Sequence, residues 1–303
     1  MTEAQRPFTR LAIIGLGLIG ASISHAARAH GAAETVAGFD AAADIRARAR
    51  ALGLGDIAED IGAAVRGADL VILAVPVGAV GAVAAEIAPH LAPGAIVSDT
   101  GSVKESILRD VAPHLPEGVH LVPSHPVAGT EFSGPDAGFA ELFEKRWCIL
   151  TPAEGTDPAA VARVAALWRT LGSKTEIMDA AHHDRVLAIT SHLPHLIAYN
   201  IVRTADDLET VTESEVFKYS AGGFRDFTRI AASDPVMWRD IFLNNKDAVL
   251  EMLGRFTEDL SALQRAIRWG DAETLETLFR RTRDIRRGII AAGQDEPEHL
   301  KKS

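Results

Sequence analysis

Residues 11–20 read LAIIGLGLIG, and this stretch decides the fold. Its apolar first half is typical of a buried parallel strand, and its second half follows the pattern G-x-G-x-x-G. Gly15 would permit a tight turn, Gly17 would let a pyrophosphate approach the backbone, and Gly20 would let the next helix pack closely on the strand. The stretch therefore predicts a dinucleotide-binding unit with the phosphates at the helix N-terminus. The residues expected to contact the cofactor are Gly15, Gly17, Leu18, Ile19 and Gly20.

A carboxylate follows at the position where such a unit binds ribose. Asp40 ends the second predicted strand, residues 35–40, and lies 20 residues beyond Gly20. It would accept hydrogen bonds from the ribose hydroxyls and repel a 2′-phosphate, and no Arg or Lys occurs in the next five residues, AAADI. These features favour NAD over NADP as the cofactor. A glycine-rich turn without a ligand is the alternative.

Strand and helix patterns alternate through the first half of the chain. The alternation predicts an α/β Rossmann-type doubly wound sheet, followed from about residue 180 to 287 by helical patterns only. We therefore expect an NAD-binding domain over residues 1–178 and an all-helical domain over residues 179–303. Further strands are predicted at residues 69–76, 95–101, 120–126, 147–151 and 175–178, and breaks between helices at residues 206–210, 222–226 and 270–271.

Composition excludes several classes of protein. The chain has 303 residues, of which 47% are hydrophobic and 24% charged, as in globular proteins of one or two domains. A formal net charge of −10 disfavours nucleic acid as a partner, and no apolar run is long enough to span a membrane. The single cysteine, Cys148, excludes an internal disulfide framework and a multi-cysteine zinc site. With no secretory signal pattern at the N-terminus, we expect a cytoplasmic location.

Polar segments recur where packing alone would not favour them. Taken together, they resemble the prephenate/arogenate dehydrogenase family over residues 11–246. The segments are DTGSVK at 99–104, SHPVAGTE at 124–131, SHLPH at 191–195, GGFRDFTR at 222–229 and SDPVMW at 233–238.

The helical half has no sheet to cover its apolar stripes, such as those at residues 241–243 and 249–253. We therefore expect an all-α C-terminal dimerisation domain and a two-fold symmetric homodimer through residues after about 180.

The resemblance assigns a role to each polar segment. It implies that His125 is the catalytic base and that Ser102 lies beside it near the nicotinamide. His195 would face the substrate, and Arg229 would bind a substrate carboxylate. Further pocket residues are implied: Gly222, Trp238 (from a partner subunit), and an entrance ion network of Arg225, Asp226 and Glu131.

The implied reaction is the NAD-dependent oxidative decarboxylation of prephenate to 4-hydroxyphenylpyruvate, of arogenate to tyrosine, or of both. The chemistry suits the residues, because hydride loss from C4 of a cyclohexadienol requires a base for the hydroxyl proton, and a histidine with a pKa near 7 suits that task. Aromatisation by loss of carbon dioxide needs no metal. The histidines at 182, 183, 192 and 195 form no H-E-x-x-H pattern, so we expect no metal site.

Other interpretations remain at this point. A related hydroxyacid dehydrogenase would use a lysine base in the helical half, where no lysine stands out although Lys218 and Lys246 are present. A non-catalytic NAD-sensing protein need not keep His125, Ser102 and Arg229 together. Individual residues also have structural alternatives. Ser102 could cap a helix starting at Val103, His125 could be a loop histidine, Trp238 could be core, and Arg225 and Arg229 could form structural ion pairs.

Overall fold

The computed structural model describes residues 7–209 and 221–291. Six strands of this part form a parallel sheet in the order β3-β2-β1-β4-β5-β6. This order places a topological switch beside β1, and the carboxyl ends of the strands there form the crevice in which such sheets bind ligands. The strands are β1 Phe8–Ile14, β2 Ala33–Phe39, β3 Asp56–Ile57, β4 Leu70–Leu73, β5 Ile96–Asp99, β6 His120–Leu121, β7 Ser124–Pro126, β8 Trp147–Leu150 and β9 Lys174–Ile177.

Helices cover both faces of this sheet. Along β1, Leu11 and Ile13 belong to one buried apolar cluster, whereas Ala12 and Ile14 belong to the other. Because successive side chains of a strand point to opposite faces, the near-continuous apolar run at 11–14 is what two covered faces require. The first helices are α1 Leu18–Ala29, α2 Ala43–Ala51, α3 Ile61–Val65, α4 Val80–Ile87, α5 Glu105–Val111 and α6 Pro158–Thr170. The expected doubly wound parallel sheet is confirmed.

A second sheet carries the segment that follows β6. The prediction of one strand over residues 120–126 was wrong, because β6 ends the large sheet and β7 pairs antiparallel with β8 in a separate sheet, β7-β8-β9. Pro123 lies between them and has no N–H to donate. Its carbonyl accepts from the Thr151 N–H at 3.0 Å instead. His125 consequently lies on β7, opposite Ile149 of β8.

Beyond β9, the described residues are helical. The helices are α7 Ala180–Leu187, α8 Leu193–Glu209, α9 Gly222–Thr228, α10 Pro235–Asn244, α11 Lys246–Trp269 and α12 Ala272–Ala291. A single π-helical turn, Ala188–His192, joins α7 to α8.

Two of the predicted helix breaks were wrong where the structure describes them. Residues 206–209 continue α8, and 222–226 begin α9, whereas Thr210 lies outside the described residues. Gly270 does end α11, with φ +67. By compactness the chain divides into residues 1–249 and 250–303. The functional boundary at residue 178 stays a prediction.

Candidate active site

The glycine-rich segment forms a cradle at the end of β1. Gly15 has φ +98, and a Cβ there would lie 2.4 Å from the Ala74 carbonyl oxygen. A Cβ on Gly20 would lie 1.9 Å from the Gly15 oxygen, so α1 crosses the loop closely. Gly17, by contrast, faces open space, with no protein atom within 4 Å of a built Cβ. Leu18 and Ile19 open α1 directly behind this space. The loop therefore fits a pyrophosphate at the helix N-terminus.

Asp40 follows β2 and touches this cradle. Its Oδ2 accepts a hydrogen bond from the Leu16 N–H at 2.9 Å, and its Oδ1 accepts from the Ala42 N–H at 3.0 Å. Each carboxylate oxygen has a second acceptor position, so the ribose hydroxyls can still bind there. The carboxylate thus has a structural task that its sequence position did not reveal: it fixes the glycine-rich loop.

A buried ion pair joins the loop that carries Ser102 to the strand that carries His125. Asp99, at the end of β5, accepts from the Gly101 N–H at 2.7 Å and from the Ser124 N–H at 3.2 Å. The Lys104 ammonium bonds to the Asp99 carboxylate and donates to the Ser124 carbonyl at 2.9 Å, and both charged side chains are fully buried. Burial raises the pKa of Asp99 and lowers that of Lys104, while their pairing opposes both shifts.

Ser102 lies in the loop between β5 and α5 and is half-buried. It is not the helix cap that the sequence allowed, because α5 begins at Glu105. Its hydroxyl takes no hydrogen bond from the described residues, which leaves it free for a ligand.

His125 is buried on β7, with 8% of its surface exposed. Its Nδ1 lies 2.9 Å from Nε2 of His183 on α7, 58 residues away in the chain. Burial, aided by His183 and Lys104, holds the pKa of His125 well below its usual range. The sequence-based expectation of a pKa near 7 is therefore revised downwards, and the imidazole is neutral at neutral pH.

His195 and Trp238 pack against each other. Their rings stack at 3.7 Å within the same chain, so no partner subunit is needed to bring them together. Nδ1 of His195 donates to the Ser191 carbonyl at 2.8 Å, which leaves Nε2 for a ligand. Trp238 also packs with Val77 and Val103. Its indole N–H has no partner within the part of the chain that the structure describes.

Nearby cations and carboxylates form two ion pairs, not one network. Arg229 donates to Glu131 at 3.2 Å, whereas Arg225 pairs with its neighbour Asp226 at 3.2 Å. Arg229 is 59% exposed and lowers the pKa of His195 by its charge, so it lies on the pocket side. Gly222 starts α9 and is exposed. Of the candidate lysines, Lys246 is exposed at the start of α11, and Lys218 lies outside the described residues.

Sequence reasoning missed the groups that hold the site together. These groups are the buried side chains of Asp99, Lys104, His183 and Asp184. Asp99 and Lys104 bond to Ser124, the neighbour of His125, His183 bonds to His125 itself, and Asp184 bonds to His183. The signal available in the sequence was chemical: DTGSVK puts an acid and a base in an otherwise apolar stretch, and His-His-Asp at 182–184 follows the last predicted strand.

Two family models match the chain. The nucleotide-binding domain of prephenate dehydrogenase matches residues 23–177, and the dimerization domain of prephenate dehydrogenase matches residues 179–281. A cyclohexadienyl dehydrogenase of Zymomonas mobilis is 48% identical over 280 residues, which are 92% of this chain and 95% of that protein. A prephenate dehydrogenase of Bacillus subtilis is 33% identical over 91% of this chain and 75% of that protein.

Solved structures agree with these matches. The prephenate dehydrogenase of A. aeolicus, in complex with hydroxyphenyl propionate and NAD+, superposes with a TM-score of 0.85 at 34% identity, over 93% of this chain and 98% of that chain. Synechocystis arogenate dehydrogenase gives a TM-score of 0.78 at 26% identity, over 92% and 99% of the two chains. With a glycine-rich cradle, a buried histidine on β7 and these relatives over nearly its whole length, the chain belongs to the prephenate dehydrogenase family.

Proposed function

We propose that the protein is an NAD-dependent oxidoreductase of tyrosine biosynthesis that converts prephenate to 4-hydroxyphenylpyruvate, arogenate to tyrosine, or both, with loss of carbon dioxide. The observation that carries the proposal is the buried, neutral His125, on a strand that the Asp99–Lys104 pair ties to the carboxyl end of β5. Turnover measured with NAD and each of the two substrates tests it. Absence of turnover with both substrates would favour the NAD-sensing alternative.

Each group of the site has a task in this reaction. NAD, when bound, supplies the acceptor for the hydride that leaves C4 of the ring. His125 accepts the C4 hydroxyl proton at Nε2, since its Nδ1 is occupied by His183. Ser102 offers a hydroxyl that can hydrogen-bond the same oxygen, and His195 and Arg229 orient the substrate. Because charge develops on that oxygen in the transition state, proton removal there lowers the barrier.

Asp40→Ala is expected to weaken NAD binding and to reduce the preference for NAD over NADP. The variant loses the ribose acceptor and the repulsion of a 2′-phosphate, and it also releases the Leu16 N–H from its bond. Titration of both cofactors measures the effect, with the exposed Asp44 on α2, changed to Ala, as the control. A wild-type protein that prefers NADP would refute this role of Asp40.

Arg229→Ala is expected to raise KM for the substrate about 10- to 100-fold, with a smaller change in kcat. The reason is the loss of a charge-assisted bond to a carboxylate, which acts in the ground state as well as in the transition state. Arg225→Ala is the matched control, because its guanidinium is held by Asp226. Equal, small effects of both changes in steady-state kinetics would place the carboxylate site elsewhere.

The proposal includes a homodimer and a cytoplasmic location. Within residues 250–291, α11 and α12 expose large apolar side chains, which a second chain would cover. These large apolar side chains of α11 and α12 are Leu250, Leu260, Ile267, Trp269, Leu278, Phe279, Ile285, Ile289 and Ile290.

The sole cysteine, Cys148, is buried and free. No helix among residues 7–209 and 221–291 combines the length and the apolar character of a transmembrane span.

A further inference from the structure

Three side chains form a continuous hydrogen-bonded line that ends at the proposed base. Nδ1 of His125 lies 2.9 Å from Nε2 of His183, and Nδ1 of His183 lies 2.8 Å from Oδ1 of Asp184. The two imidazole rings meet edge to face, with centroids 5.1 Å apart. All three side chains are buried, so water does not compete for these bonds.

The Asp184 carboxylate, at the other end of the line, determines which nitrogen of each imidazole ring carries a hydrogen. A carboxylate only accepts, so Nδ1 of His183 carries a hydrogen and donates it to Asp184. Burial lowers the pKa of His183, which keeps its ring neutral and leaves Nε2 as an acceptor. That acceptor requires a hydrogen on Nδ1 of His125. In the neutral ring, Nε2 of His125 is then the nitrogen with the free lone pair.

Helix α7 is held firmly enough to impose this arrangement. The Asp184 carboxylate accepts from the Lys104 N–H at 2.8 Å and from the Glu105 N–H at 2.9 Å at the start of α5. The side-chain amide of Asn245 donates to the Asp184 carbonyl at 2.9 Å. His183 thus stands on a helix that is tied to α5 on one side and to the segment between α10 and α11 on the other.

The titratable groups around this line come from several elements. The pKa of His125 is lowered by burial and, to a smaller extent, by His183, by Lys104 before α5 and by His192 from the π-helical turn. His192 itself has a pKa lowered by burial to about 4, so it is neutral at neutral pH. Asp99 and Asp184 act in the opposite direction on His183. Cys148 of β8 is also a neighbour, and burial raises the pKa of its thiol.

We propose that His183, supported by Asp184, is a positioning residue that holds His125 in the tautomer whose Nε2 is free to accept the substrate proton. This inference rests on the proposed function, in which His125 is the base. It assigns a task in the reaction to the first helix after the nucleotide-binding half. Both rings are buried, so water does not replace either partner in their hydrogen bond.

The tautomer can be measured directly in the wild-type protein. Nitrogen-15 chemical shifts of the His125 ring, recorded near pH 7.5, are expected to show a protonated Nδ1 and an unprotonated Nε2. A hydrogen on Nε2 at that pH would overturn the proposal. The measurement needs no substrate and no variant, so it is independent of whether the protein turns over prephenate or arogenate.

Two variants of His183 test its effect on turnover. His183→Leu removes the acceptor and is expected to lower kcat about 10- to 100-fold, with NAD affinity unchanged. Nitrogen-15 shifts of this variant should show hydrogen on Nε2 of His125 in part of the molecules, because no acceptor at Nδ1 then selects one tautomer. His183→Gln keeps one acceptor and one donor and is expected to retain kcat within a few fold, together with the wild-type tautomer. His182→Leu, at an exposed position of the same helix, is the matched control.

The outcomes separate the inference from the proposed function. Unchanged kcat and an unchanged His125 tautomer in His183→Leu would overturn the positioning role, and so would a loss in His183→Gln as large as that in His183→Leu. If His125→Asn itself keeps normal turnover, the proposed base is wrong, whatever His183 does. If His125→Asn is inactive while His183→Leu is normal, only the inference fails.

Discussion

Replacing His125 with asparagine is expected to lower kcat by about 10²- to 10⁴-fold, the usual cost of losing a general base. Without the imidazole, the C4 hydroxyl proton has only water as its acceptor. Substrate binding should weaken less than turnover, because the proton moves in the transition state. NAD binding should stay intact, since the cradle at Gly15, Gly17 and Gly20 does not involve β7. Steady-state kinetics and NAD titration of the same preparation measure both effects.

The role of His125 also predicts the direction in which activity changes with pH. The base acts only as neutral imidazole, so kcat/KM of the wild-type enzyme rises as pH passes upwards through the pKa of His125 in the free protein. Burial beside His183 and Lys104 places that pKa well below 6.5, so the limb should lie on the acidic side of 6.5 and activity should be flat through neutrality. His125→Asn should abolish the limb. Near-normal turnover of the variant with the same limb would remove His125 from the mechanism and make His195 the next candidate.

Lys104→Met is expected to lower the free energy of unfolding by about 3–5 kcal/mol, the largest effect on stability that we predict. The change leaves the Asp99 carboxylate buried without its cation, and an uncompensated charge in a protein interior is costly. It also removes the donor to the Ser124 carbonyl. Urea unfolding followed by circular dichroism measures the loss.

Two further variants identify the cause of that loss. In Lys104→Met/Asp99→Asn neither charge remains, so the double variant should be less destabilised than the sum of the two single changes. Arg283→Met breaks an exposed ion pair with Asp284 and is expected to leave the unfolding midpoint nearly unchanged. A Lys104→Met protein as stable as the wild type would show that the buried pair contributes little.

Five of the six strands of the large sheet could be predicted because their signals are local, whereas the two-residue β3 was not predicted. The apolar run at 11–14 must be buried on both faces of the sheet. The G-x-G-x-x-G pattern that follows it is typical of the turn between a strand and a helix that binds a dinucleotide. The split at Pro123 escaped prediction because residues 120–126 look uniformly strand-like, and only the pairing partners reveal two sheets. Gly222 and Gly223 predicted a break, yet they are the first two residues of α9. The low helix propensity of glycine applies to helix interiors, so two glycines at a helix start do not exclude a helix.

The candidate site likewise contains residues that could be predicted from the sequence and residues that could not. Asp40 and the glycines could be placed from the sequence because spacing along one βαβ unit determines them. His183 could not be placed, since its partner on β7 is remote in the chain and no periodic pattern connects the two. The low pKa of His125 also escaped prediction, because burial is a property of the assembled fold and not of the SHP segment.

The contact between His125 and His183 spans 58 residues, and this distance has a consequence for the order of events during synthesis. Domains fold largely from the N-terminus as the chain emerges, so the cradle at β1 and α1 can form before α7 leaves the ribosome. A nascent chain at that stage would hold the cofactor site, while the proposed base would still lack His183. We therefore expect the protein to become able to bind a dinucleotide before it becomes competent for catalysis.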